Sequence, residues 1–148
     1  MKSLLTATLL AVLVPLGAQA ADLISIESNH SVAETIDRLK ANVEKAGATV
    51  FARVDHAKGA ASVDQELRPT EMLMFGNPKL GTPAMQGAQT MAPDLPMRVI
   101  AWEDAQGKVF IGYRDPAEAA KLHGLPADHP TIVKMQGALG KLTGAAAQ

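Results

Sequence analysis

The stretch from Arg68 to Pro116 constrains this chain most, because it carries three apolar runs separated by turn residues. The first run, 71–75, is almost continuous, which is typical of a strand covered on both faces. The other two runs, 97–103 and 108–113, flank the four-residue turn DAQG, and a turn of this kind predicts a hairpin. We therefore expect three strands here, with 71–75 in the interior of a sheet.

An amphipathic helix precedes this stretch. Ser31 and Glu34 have the spacing of a capping box, in which the serine hydroxyl accepts a free backbone N–H at the helix start. Gly47 follows the helical pattern and predicts its end, since glycine adopts the left-handed conformation at low cost. One face of the predicted helix carries the apolar residues Val32, Ile36, Leu39 and Val43.

Two more helices follow the hairpin. Asp115 is placed to cap the first of them. Residues 131–142 show apolar positions at helical spacing and predict the last helix. We expect the Gly-Ala tail beyond Leu142 to fray.

Short strands are expected at 23–26 and 49–54, and a helix near Pro83, whereas 55–65 fits either a helix or a loop. The resulting order is β-α-β-β-α-β-β-α-α. It predicts an α+β fold, with an antiparallel or mixed sheet of about five strands and helices packed on one face.

The first twenty residues have the pattern of a signal peptide. Lys2 precedes an apolar run, and Ala18-Gln19-Ala20 forms a small-x-small cleavage site. We expect cleavage before Ala21, a single mature domain at 21–148, and a periplasmic or secreted location. The chain has no cysteine and a formal charge of −1, so no disulfide is expected, nor binding to nucleic acid or, after cleavage, to a membrane.

Several motifs, in order, resemble the domain of unknown function 302 family. They are RPTEMLMFGNPKLGTPAM, DLPMRVIAWED, the hairpin end GYRDP, and LHGL at 122–125. The resemblance covers about 31–125. It implies a small α+β sandwich and a homodimer, and it supplies no reaction, because the family has no agreed activity.

A ligand site is predicted around the turn that follows 71–75 and around the ends of the hairpin strands. A small anionic ligand could lie on backbone N–H groups there, with arginine side chains as clamps. Two structural alternatives remain open: a turn that needs asparagine and proline for its shape, and a cross-strand pair of Glu71 with Arg98. The candidate ligand residues are Asn77, Pro78, Lys79, Arg98, Tyr113 and Arg114.

Methionines suggest an alternative occupant, since thioethers are soft ligands for copper(I). The candidate set is Met72, Met74, Met85 and His56. The competing interpretation is that these methionines fill gaps in the core. Apart from this copper alternative, no cofactor is expected.

Three functions are consistent with these patterns. The first is a non-enzymatic, homodimeric protein that binds a small ligand or a partner. The second is a periplasmic copper(I)-binding protein. The third is a small hydrolase or isomerase that uses His56 or His123 as acid or base, with Arg98 as an anchor for an anion.

Overall fold

Residues 23–148 are described by a computed structural model. They form an α+β fold with five strands, five α-helices and one 3-10 helix, Gln89–Asp94. The strands are β1 Leu23–Ser28, β2 Thr49–Asp55, β3 Thr70–Gly76, β4 Met97–Glu103 and β5 Val109–Arg114. The α-helices are α1 Val32–Lys45, α2 His56–Ala61, α3 Pro78–Gly87, α4 Pro116–Leu122 and α5 Pro130–Ala147.

The strands form one antiparallel sheet in the order β1-β5-β4-β3-β2. Helices α1 and α5 pack on one face of this sheet and enclose the main core. A second apolar cluster lies where α3, α4 and the 3-10 helix pack around α5. The expected α+β fold, with about five strands and helices over one face, is confirmed.

The serine cap and the terminal glycine of α1 act as expected, but the capping box is not completed. The Ser31 hydroxyl accepts the Glu34 N–H at 3.3 Å. The Glu34 carboxylate contacts His30 Nδ1 at 3.0 Å, so it does not complete the capping box. Gly47 has φ of 72° and lies just beyond the helix end.

Among residues 23–148, strand β3 is covered on one face only, and the expectation for 71–75 is wrong in this respect. Leu73 and Phe75 are buried under the helices. Met72 and Met74 alternate with them and lie half-buried on the opposite face. The expected interior position is confirmed, because β3 lies between β4 and β2 in the sheet. An apolar run therefore did not distinguish one covered face from two.

Glu71 forms its ion pair with Arg53 of β2, at 2.6 Å, and the pair predicted with Arg98 is wrong. The register explains why. Glu71 lies opposite Ala101 on β4, whereas Arg98 lies opposite Met74. Neighbours on a strand alternate faces, so Glu71 and Arg98 point to opposite sides of the sheet.

Two segments are more ordered than the sequence indicated. The segment that fitted a helix or a loop contains α2, whose start is capped by Asp55 through the Lys58 N–H at 2.8 Å. The tail after Leu142 continues α5 to Ala147 and does not fray. Ala146 and Ala147 are buried, and the Ala147 carbonyl accepts the Asn29 N–H at 2.9 Å.

None of the helices within 23–148 has both the length and the apolar character needed to cross a bilayer. The predicted signal peptide and the cleavage site before Ala21 lie outside the residues that the structure describes.

Candidate functional site: an apolar cleft

A cleft of about 630 Å³ opens at the end of the sheet where β3 leaves for α3. Its walls come from the ends of β2, β3 and β4, from α3 and the 3-10 helix, and from one face of α5. Large apolar side chains dominate the lining: Phe51, Met74, Leu80, Met85, Leu95, Met97, Met135, Leu139 and Leu142. This size and lining match the pockets in which proteins bind small apolar molecules.

Backbone irregularities shape the mouth of this cleft. The register of β2 shifts between Val50 and Ala52, so Phe51 is an extra residue in the strand. Its side chain is 60% exposed at the cleft. Gly76 lies beneath it, because a Cβ there would meet Phe51 Cε2 at 3.4 Å and Pro96 Cβ at 3.3 Å. The missing side chain allows the Phe51 ring and Pro96 to approach from either side.

The turn at Asn77 uses its own hydrogen-bonding groups internally. The Asn77 side-chain oxygen accepts the Lys79 N–H at 2.9 Å. The Asn77 carbonyl accepts the N–H groups of Leu80 and Gly81, both at 2.9 Å. Pro78 has no N–H to offer. The first turn of α3 therefore presents its donors to Asn77, and this geometry favours a capped turn over an anion site.

The six candidate ligand residues do not meet at one place. Asn77 and Pro78 line the cleft, and Lys79 is an exposed residue in the first turn of α3. Tyr113 belongs to the main core, where burial raises the pKa of its hydroxyl and the charge of Asp115 adds to this effect. Arg98 and Arg114 are exposed on neighbouring strands.

The copper set is divided between the two ends of the sheet. Met74 and Met85 line the cleft. His56 follows Asp55, which pairs with Glu71 at the far end of the ladder between β2 and β3. The six residue steps from Val50 to His56 span about 20 Å along an extended chain. Within 23–148, no group of three or more His, Cys, Asp or Glu residues is arranged to hold a metal ion.

Two residues of the enzymatic hypothesis, His123 and Arg98, meet at a carboxylate outside the cleft lining, whereas His56 lies beyond the far end of β2. His123 Nε2 lies 2.8 Å from one oxygen of Asp94, and Arg98 lies 3.7 Å from the other. Asp94 ends the 3-10 helix and His123 caps the end of α4. The contact between His123 and Asp94 therefore joins α4 to the 3-10 helix. The side chains of His123 and Arg98 are both already paired with Asp94.

The sequence motifs did not identify several of the residues that line the cleft. Met135, Leu139 and Leu142 were recognisable only as the apolar face of a helix, and Phe51 only as part of a strand. Helical periodicity indicates which face is buried, but it does not show that part of this face borders a cavity. No short-range pattern could have identified it.

Comparisons with known proteins identify relatives in sequence and in fold. The family described as "Domain of unknown function DUF302" matches residues 24–142. A crystal structure of an uncharacterized conserved DUF302 protein from Bacillus stearothermophilus has a TM-score of 0.77 at 16% identity. The match covers 86% of this chain and 99% of that one. This similarity concerns the fold alone.

Curated relatives come from Brucella. The chain is 46% identical over 112 residues to proteins named fluoride-specific ion channel FluC 1 from Brucella suis and Brucella abortus. A Brucella melitensis protein named FluC 2 matches equally well. The matched region is 76% of this chain but only 42–44% of those proteins. The chain thus spans less than half the length of the curated relatives that it matches.

Proposed function

Because this chain belongs to the family of the domain of unknown function DUF302, which carries no assigned reaction, we propose a function from the cleft. The protein is a non-enzymatic binding protein that takes a small, uncharged and mainly apolar molecule. The lining of the cleft is the observation that carries this proposal. Each CH₂ group that a ligand buries there contributes about 0.8 kcal/mol.

The methionines of the lining support a ligand with an apolar body of variable shape. Met74 comes from β3, Met85 from α3, Met97 from β4 and Met135 from α5, and all four border the cleft. Methionine has three rotatable bonds and a polarizable sulfur, so it adapts to different apolar surfaces and favours aromatic rings. The same sulfurs make copper(I) the competing occupant, and the test below includes it.

The Brucella relatives are named as fluoride-specific ion channels, but this chain matches less than half of each of those proteins. Fluoride is a small anion with strong hydration, and a lining of this kind would not compensate for the loss of that hydration. An apolar occupant therefore fits the cleft better than a halide does.

The proposal also includes the location and the oligomeric state of the protein. Lys2, the apolar run after it and Ala18-Gln19-Ala20 support export to the periplasm or the medium, with cleavage before Ala21. The protein is proposed to act there as a homodimer. Native mass spectrometry of the protein from an exporting host tests both statements. A chain that retains 1–20, or a monomer, would contradict the corresponding statement.

Binding is tested with Nile red, an apolar dye whose fluorescence rises in a dry pocket. Ala138 lines the cleft from α5 and is half-buried, so Ala138→Phe fills part of the space. Ala145→Phe places the same ring on an exposed position of the same helix. We expect Ala138→Phe to weaken the affinity about tenfold, equivalent to 1.4 kcal/mol, and Ala145→Phe to leave it unchanged.

Two outcomes would overturn this proposal. One is equal binding of Nile red by both variants, which would place the dye elsewhere on the protein. The other is stabilisation by copper(I), lost in Met74→Leu and Met85→Leu, without any binding of the dye. The leucine substitutions keep the apolar volume and remove the sulfur ligand.

A further inference from the structure

The sheet has a second face, opposite α1 and α5, that is also apolar. Because side chains alternate along each strand, the residues between the core positions point away from α1 and α5. We call this surface the open face. The six apolar members that the argument uses are half-buried: Val54, Met72, Met74, Ile100, Trp102 and Phe110. Met74, at one end of this face, also borders the cleft.

Aromatic residues give one end of this face a flat surface. The rings of Trp102 and Phe110 are stacked with centroids 5.6 Å apart and an interplanar angle of 25°. The indole also lies over Gly112, where a Cβ would approach Trp102 Cζ3 to 3.3 Å. Tryptophan, phenylalanine and methionine, with charges displaced to the rim, are the composition found at the centre of protein interfaces.

We propose that the open face is the surface through which two copies of this chain associate. The inference rests on the proposed homodimer and deepens it by naming the interface. Five strands about 4.8 Å apart and about 20 Å long present roughly 480 Å² in projection. Two such faces bury about 960 Å² together, close to the roughly 1,000 Å² expected of a small specific interface.

The charges at the rim define how the second copy is oriented. Val99 lies opposite Tyr113 in the antiparallel pair of β4 and β5. Arg98 precedes Val99 and Arg114 follows Tyr113, so the two arginines are neighbours at one end of the open face. A twofold axis along the strands would bring four guanidinium groups together. An axis across the strands instead brings the arginine end of one copy over the Trp102–Phe110 end of the other. There, cation–π contacts are favourable.

An axis across the strands passes close to Ile100, which lies midway between Arg98 and Trp102 on β4. The two copies of Ile100 would then face each other. This geometry allows a direct test, because the chain has no cysteine and an introduced thiol has no competitor.

The experiment uses the purified protein and two cysteine variants under mild oxidation. We expect Ile100→Cys to form a covalent dimer in high yield. Val133→Cys, at a position of α5 that is 52% exposed and belongs to the other side of the molecule, is the matched control and should cross-link at least tenfold more slowly. Sedimentation equilibrium of the unmodified protein measures the association itself.

A charged substitution at Ile100 is the second test of the interface. Ile100→Lys should convert the dimer to a monomer while circular dichroism and Nile red binding remain unchanged, because the cleft does not contain this residue. The chain's single tryptophan lies on the open face, so its emission should shift to longer wavelength in the variant.

The outcomes separate the interface from the broader proposal. A dimer that survives Ile100→Lys and does not cross-link through Ile100→Cys would keep the homodimer and overturn the open face as its interface. A monomer at every concentration would overturn both. Dye binding by the Ala138→Phe and Ala145→Phe variants tests the ligand proposal separately.

Discussion

At the scale of single residues, Asn77 shows how one side chain positions both a turn and a cleft. Its oxygen caps α3 through the Lys79 N–H, and its nitrogen donates to the Gly47 carbonyl at 3.4 Å. The residue thereby joins the end of β3 to the loop after α1. The same residue borders the cleft, so its role in the turn and its effect on a ligand can be separated by experiment.

We expect Asn77→Ala to lower the free energy of unfolding by about 1 kcal/mol, the usual loss for an N-cap. Asn77→Asp retains the oxygen that accepts the Lys79 N–H and should lose less. Urea denaturation of both variants measures the difference. Unchanged stability in Asn77→Ala, together with lost binding of Nile red, would contradict the structural role of this turn.

Tyr113 leads to a prediction about pH. Its pKa is raised, first by burial and then by the negative charge of Asp115. The unfolded chain releases this proton near pH 10, about the ordinary tyrosine value, whereas the folded chain holds it to higher pH. The contribution to stability is therefore complete below about pH 10 and is lost as pH rises through the folded pKa.

The measurement is simple because Tyr113 is the chain's single tyrosine. Tyrosinate absorbance should appear at higher pH in the folded protein than in urea. Tyr113→Phe should remove the part of the alkaline destabilisation that this proton causes. A native titration that coincides with the unfolded one would show that the hydroxyl is not effectively buried.

At the scale of elements, an ion-pair cluster connects β2, β3 and α1. Arg53 of β2 donates to Glu71 of β3 and to Asp37 of α1. Glu71 is buried, and its hydrogen bond is the main reason that the pKa of Arg53 is raised. The edge strand β2 is thus held both to its neighbour in the sheet and to the helix above it.

Glu71→Gln should lower the free energy of unfolding by about 1–3 kcal/mol, because a buried hydrogen bond to a charged group is replaced by a neutral one. Glu27→Gln is the control, since Glu27 forms an exposed pair with Lys108 and such pairs contribute about 0–1 kcal/mol. Thermal unfolding of both variants compares them. Equal losses would mean that the buried position of Glu71 has no special effect.

At the scale of the whole molecule, the last turn of α5 contacts segments from the first part of the fold. Thr143, Ala146 and Ala147 are buried where α5 ends. Arg38 of α1 donates to the Ala146 carbonyl at 3.2 Å, and the Asn29 N–H donates to the Ala147 carbonyl. Hydrogen bonds thereby join the C-terminal turn of α5 both to α1 and to the segment between β1 and α1.

Truncation after Leu142 should therefore destabilise the protein by at least 2 kcal/mol, an order-of-magnitude figure for the apolar surface exposed. Removal of Gln148 alone, which is exposed, should have little effect. Chemical denaturation distinguishes the two truncations. Equal stabilities would restore the expectation that the tail frays.

Signals that act within a few residues could be read from the sequence. The cap at Ser31, the left-handed Gly47 and the cap at Asp115 depend on contacts with near neighbours, and each is found where its pattern predicts it. Periodicity also identified the buried faces of α1 and α5. The motifs indicated the DUF302 family, which the family match confirms.

Tertiary structure decided the rest, because the deciding contacts join residues far apart in the chain. The partner of Glu71 depends on strand register, the open face depends on which side the helices cover, and the cleft depends on six elements that meet at one end of the sheet. An apolar residue has the same local pattern in a core, on an uncovered sheet face or beside a cavity. Only its packing against distant segments separates these environments.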